Sequence, residues 1–115
     1  MPIISYRDVP AETVEEGACG VKIRWLITEK SGARFVMRHF EIEPRGYTPK
    51  HQHPWEHEVF ILSGTGQLLE GQAERPFGPG DVIFIPPNEL HQFRNTGAEA
   101  LTLLCLIPAR DKCAL

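Results

Sequence analysis

The sequence predicts an all-β protein, and three observations carry that reading. Short β-prone runs alternate apolar and polar residues along the chain. Gly and Pro, ten of each, punctuate its whole length. No 3.6-residue apolar period persists long enough for an amphipathic helix. Many short strands between turn residues make a sandwich or barrel. A chain of 115 residues suits one domain with one core, and no repeat, low-complexity tract or linker divides residues 1–115.

The elements follow in order. Ile3 to Val9 is expected as an edge strand, and PAETVEEG as a turn or a single helical turn. Strands are then expected at 21–29 (VKIRWLITE) and 34–43 (RFVMRHFEIE), with EKSGAR between them. EPRGYTP breaks the pattern at 43–49. Further strands are expected at 57–64 (HEVFILSG), 66–71 (GQLLEG), 81–86 (DVIFIP), 90–95 (LHQFRN) and 100–108 (ALTLLCLIP). RPFGPGD (75–81), PPNE (86–89) and NTGAE (95–99) read as breaks.

Charge and composition exclude several partners. The net charge is −3 and no basic stripe exists, so nucleic acid is not an expected partner. No run approaches the ~20 apolar residues of a membrane helix, so no membrane is expected. MPIISYRDVP lacks the basic and apolar regions of a signal peptide. Cys19, Cys105 and Cys113 form no CxxC pair and no disulfide framework. Together these point to a reducing, cytoplasmic setting. Cys105 lies in an apolar strand pattern and reads as a buried thiol.

The chemistry concentrates in HQHPWEHE, residues 51–58. Residues i and i+2 of an extended segment share a face, so His51 and His53 make a pair. Pro54 biases His53 toward that geometry. His57 opens the next strand and shares its face with Val59 and Ile61, while Glu58 shares the other with Phe60 and Leu62. His91 lies downstream in PPNELHQFRN, and two hairpins of a small barrel can bring it to the other three. Gathered imidazoles point to a divalent transition metal.

These residues fall into two ordered motifs that resemble the cupin signature. The first is Gly46, YTPK, His51-Gln52-His53, PWE, His57, Glu58, VFILS and Gly64 (46–64). The second is Gly80, DVIFI, Pro86-Pro87-Asn88, EL, His91, QFR and Asn95 (80–95). Gly46 stands one residue closer to His51 than the family spacer places it, and Asn88 stands where the family prefers Gly. Asn tolerates positive φ, so the turn is expected to survive. The resemblance implies a double-stranded β-helix, the jelly-roll barrel of a single cupin domain.

It also implies the ligands: His51, His53 and His91, with either His57 or Glu58 as the remaining one, since the family spacing admits both. The inward face expected for His57 favours it, as does the likeness of HPWEHEVFIL to small cupins with four histidine ligands. Glu58 would then be free to orient an imidazole N–H. The implied cofactor is one divalent transition metal per chain, with Mn or Fe favoured and Ni, Zn or Cu as further occupants. Four neutral imidazoles on an octahedral ion leave two positions open, which suits Lewis-acid or oxygen-activating chemistry.

The function expected is therefore a metal-dependent, dioxygenase-like oxidoreductase acting on a small molecule with an enol, keto or carboxylate group. The alternatives are a cupin isomerase or decarboxylase, a non-catalytic binding or sensor module, and a closed structural zinc site. Around the cluster, Arg38 shares a strand face with Val36, Phe40 and Ile42, and would bind a substrate carboxylate if that face turns inward. His39 has the opposite parity and is expected outside the barrel, at a subunit contact. Trp55 and Phe93 either shape the pocket or pack the core. Cys105 would line the pocket with Leu103 if their parity faces inward. Family likeness and exposed sheet edges imply a homodimer joined through the N-terminal strands.

Overall fold

A computed structural model describes residues 1–109. Cys113, which enters the cysteine reading above, lies outside the described residues. Among the described residues no helix is long and apolar enough to cross a membrane.

The described residues form nine strands: β1 (Glu12–Val14), β2 (Cys19–Ile27), β3 (Phe35–Tyr47), β4 (His57–Ser63), β5 (Gly66–Glu70), β6 (Ala73–Phe77), β7 (Val82–Ile85), β8 (His91–Asn95) and β9 (Leu101–Pro108). They join one antiparallel sheet in the order β6-β5-β8-β3-β9-β4-β7, and β2, with β1 beside it, adds to β3. The sheet curls so that its edge strands, β6 and β7, face each other across a cleft of about 360 Å3. The result is the all-β fold that the alternation of residues predicts, curled into a half-barrel.

β3 holds the curl together. Its first part, Val36 to Ile42, pairs with β9, and its last residue, Tyr47, pairs with Arg94 of β8. The bend between them lies at Pro44-Arg45-Gly46, where Arg45 takes φ 69°. Gly46 is needed there because a Cβ would stand 2.6 Å from the Cys19 carbonyl oxygen and 2.8 Å from that of Glu43. Asn95, at the end of β8, donates from Nδ2 to the carbonyls of Ile42 (2.9 Å) and Glu99 (2.8 Å). It closes the same corner from the other side.

Alternation decides what is inside. On β4 the buried residues are His57, Val59 and Ile61; on β9 they are Leu101, Leu103, Cys105 and Ile107. Ile42, Ile61 and Leu101 are fully buried at the centre of the core. The Arg38 face of β3 turns inward, as Val36 and Ile42 show.

Four expectations need correction. EPRGYTP does not end the strand, because β3 runs on through Pro44 to Tyr47, bent at Arg45 and Gly46. Ile3 to Val9 is not a strand: Ser5 caps a 3-10 turn at Tyr6–Asp8 by accepting from the Arg7 N–H. PAETVEEG contains β1, paired with β2 through Thr13↔Lys22. RPFGPGD is not wholly a break, because β6 runs into it. Pro76 sits in β6 at the sheet edge, where a missing N–H costs no ladder bond.

Candidate functional site

The structure brings all four predicted histidines together. His51 faces His91 in an isolated antiparallel bridge: the His91 N–H donates to the His51 carbonyl at 3.0 Å, and the His51 N–H to that of His91 at 3.2 Å. His57 is the first residue of β4, opposite Ile85, and His91 is the first of β8, opposite Glu70. His53 lies in the connection before β4, and its carbonyl accepts the Asn88 N–H at 2.6 Å. Asn88 takes φ 67°, so asparagine does here what glycine does elsewhere.

The ring centres lie close. His51 stands 4.3 Å from His53 and 4.9 Å from His91. His57 stands 4.7 Å from His91 and 5.4 Å from His53, and His53 and His91 are 6.3 Å apart. Trp55 stacks on His53 at 4.4 Å with the planes 6° apart, so it braces a ring of the cluster as well as packing on the core. Among the described residues, no three His, Cys, Asp or Glu side chains form a finished metal cage. The rings are gathered but not yet aimed at a single point. The Cβ–ring torsion that would aim them has a broad, soft profile.

Burial sets the protonation. His57 and His91 are each only 4% exposed. Burial, then the charges of His91, Arg38, His53 and His51, pushes His57 down to about 3. Burial, then His53, His91 and Arg38, pushes His51 down to about 4. Burial also lowers His91, although the hydrogen bond to the Glu89 carbonyl works against it. That bond, 2.9 Å from Nδ1, makes Nδ1 the donor and leaves Nε2 with its lone pair. His57 Nδ1 is buried without a hydrogen-bond partner.

Glu58 goes elsewhere. It is exposed on the outer face of β4 and lines a surface groove with Glu56, Phe35 and Leu106. Glu56 is pushed up, first by the hydrogen bond it shares with Glu58. Neither a ligand role nor the orienting role fits Glu58, because strand alternation turns it away from His57. His39 is also corrected. It has the outward parity expected, yet it is 7% exposed beneath the Tyr6 ring, 4.8 Å away. Its own N-terminal turn covers it.

The inner cavity beside the cluster measures about 50 Å3. His51, His57 and His91 line it together with Arg38, Phe93, Leu103 and Cys105. Both conditional readings of parity therefore resolve inward. Arg38 Nη2 donates to Cys105 Sγ at 3.0 Å. Cys105 is a free thiol whose pKa burial pushes up, against the pull of Arg38.

One positioning residue escaped the sequence reading. Thr48 Oγ1 accepts the Phe93 N–H at 2.9 Å, and the Thr48 carbonyl accepts from Gln92 Nε2 at 2.9 Å. Thr48 thus ties the strand end that carries His51 to the strand that carries His91. Its place three residues before His51 was the available signal.

Fold and cluster together define a small half-barrel that gathers imidazoles on its inner face. The Cupin domain family matches residues 38–107, more than half the chain, and the chain belongs to the cupin family. It is similar to the polyketide cyclase RemF from Streptomyces resistomycificus, at 38% identity and TM-score 0.88 over 96% of this chain and 80% of that one. It is 36% identical to 1-methylthio-D-xylulose 5-phosphate methylsulfurylase from Rhodospirillum rubrum over 85% of this chain. The chain spans 65% of that protein's length, and smaller shares of further curated relatives. A cupin-2 domain structure, also from Rhodospirillum rubrum, superposes at TM-score 0.79 with 34% identity, over 91% of this chain and 72% of that one.

Proposed function

We propose that this cupin is a metal-dependent enzyme acting on a small carbonyl-bearing molecule. The observation that carries the reading is the cluster of His51, His53, His57 and His91 opening on the cavity that holds Arg38. The spacing of the four rings is within reach of one divalent transition metal once they turn toward a common point. A metal ~2.1 Å from an imidazole nitrogen stands ~3.2 Å from the ring centre, so two rings on one ion lie at most ~6.4 Å apart. The measured separations, 4.3 to 6.3 Å, respect that limit. Low basicity keeps the imidazoles neutral, as ligands must be, and the orphaned His57 Nδ1 would gain a partner through the ion or through its tautomer.

A bound divalent ion would supply a Lewis acid for a substrate oxygen. The chain's own residues do the rest. The Glu89 carbonyl holds His91 in one tautomer. Trp55 fixes the plane of His53. Phe40, Phe93 and Leu103 make part of the cavity wall apolar. No carboxylate lines this cavity among the described residues, which favours oxygen polarisation over carboxylate-base chemistry. The relatives support the same direction: one is named a polyketide cyclase and the other for a methylthio-xylulose phosphate, and polyketides and xylulose both carry ketone carbonyls.

The dioxygenase-like oxidoreductase is the second reading. The apolar wall favours it, because O2 partitions into apolar space and needs no charged partner. A non-catalytic binding module is the outcome if no substrate turns over.

Elemental analysis of protein purified without an affinity tag tests the metal. Wild type and Glu58→Ala are expected to carry about one divalent ion per chain, and His57→Ala to lose most of it. A wild type that carries none and takes up none sinks the reading. Turnover of a panel of keto acids and diketones, in air and under nitrogen, separates the reactions. Equal rates favour the Lewis acid; turnover only in air, with O2 consumed, favours the oxidoreductase.

A further inference from the structure

Arg38 presents a physical problem. It is a half-buried cation on the inner face of β3, yet it joins no ion pair: among the described residues the salt bridges are Arg75–Glu70 and Arg94–Glu74. Its Nε is buried with no hydrogen-bond partner. Its Nη2 meets only a thiol, Cys105 Sγ at 3.0 Å, and sulfur is a weak acceptor. The Phe40 and Trp25 rings flank it at 5.1 and 5.7 Å and hold it in place without neutralising it. It lines one cavity with His51, His57 and His91. A shielded guanidinium is normally paired with an anion, because an unpaired one forfeits its hydration.

We propose that Arg38 is an anion-binding residue of the inner cavity, and that it selects substrates carrying a carboxylate or a similarly small oxyanion. The cavity of about 50 Å3 corresponds to roughly three to five waters at ~10–15 Å3 each, which accommodates a carboxylate group. The planar fork of Arg38 suits two carboxylate oxygens at once. Cys105 is the counter-surface: a neutral thiol holds the guanidinium loosely and releases it to a better acceptor. The remainder of the anion then lies against His51, His57 and His91, which line the same cavity. The inference deepens the proposed function and rests on it for the reaction, whereas the anion site itself needs no metal. It assigns the substrate to the keto or enol acids.

The probe is acetate against acetamide, two ligands of one shape that differ in charge. Ligand-observed NMR titration of the protein as purified, with its metal content measured alongside, reads both. Acetate is expected to bind about ten-fold or more tighter than acetamide, and Arg38→Met to erase that difference while metal content stays unchanged. Acetate binding unchanged in Arg38→Met, or acetamide binding as well as acetate in the wild type, overturns the assignment. If Arg38→Met does not fold, Arg38→Lys decides. Lysine keeps the charge without the fork, so acetate is expected to weaken, and wild-type affinity there refutes bidentate binding. The two readings fail separately. Arg38-dependent acetate binding to a protein that takes up no metal sinks the metal alone, and a metal-loaded protein with Arg38-independent binding sinks the subsite alone.

Discussion

His57 carries two properties that depend on each other. Its ring is buried on the inner face of β4 against His91 of β8, and that burial costs it basicity, down to about 3 from an ordinary 6.5. His51 follows, down to about 4. In the unfolded chain both return to 6.5, so below that pH the unfolded state binds protons that the folded state refuses. Stability from these groups is full above about pH 6.5 and is lost as pH falls toward 4 and then 3. Chelator-treated protein is therefore expected to melt at progressively lower temperature from pH 7 to pH 4. His57→Gln should flatten that dependence, because a neutral amide takes no proton. A variant slope as steep as the wild type's would place the acid sensitivity elsewhere.

Turns and strand ends, rather than strand centres, aim the cluster. The inward face of β4, and with it His57, was legible from two-residue alternation; alternation also grouped Arg38 with Val36 and Ile42 and Cys105 with Leu103, but it left open which way those faces turn. The four-histidine cluster was legible from the two motifs. Other features were hidden for physical reasons. β6 was masked by Pro76, a residue that argues against a strand unless the strand is known to lie at an edge. The Arg38–Cys105 contact spans 67 positions, a distance over which no local pattern carries information. Tyr6 over His39 depends on a capped turn that reads, by composition, as a β-prone run. The Asn88 turn was anticipated and has a measurable consequence. At φ 67°, Asn88→Gly is expected to change stability by less than ~0.5 kcal/mol, and Asn88→Val to cost about 1–2 kcal/mol. Chemical denaturation reads both. Because the Asn88 N–H holds the His53 carbonyl, the valine variant should also bind metal more weakly. Equal stability of the two variants would mean that the turn is not under this constraint.

A curled sheet with free edges leaves the molecule an outer face that its own core cannot cover. On β4 and β7 that face is apolar: Phe60 is paired with Val82, and Phe84 with Glu58. Val82 is 76% exposed and Phe84 57%, with Phe60 and Leu62 each above 40%. Single exposed apolar residues are ordinary, but a contiguous patch on an edge strand invites association. The homodimer expected from the sequence was assigned to N-terminal strands; Ile3 and Ile4 are exposed outside any strand, and β1 lies at a sheet edge with exposed Glu12 and Thr13 rather than an apolar face. We therefore propose a second copy of the chain as the cover, seated on the β4–β7 face. Light scattering at micromolar concentration is expected to give twice the chain mass for the wild type. Phe84→Glu, which sets a charge beside Glu58, should return it to the chain mass with the cluster intact, read as unchanged metal uptake. Dissociation on removing residues 1–4, with Phe84→Glu still dimeric, would move the contact to the N-terminal arm. A wild type at the chain mass would refute the dimer and leave the apolar face to a different partner.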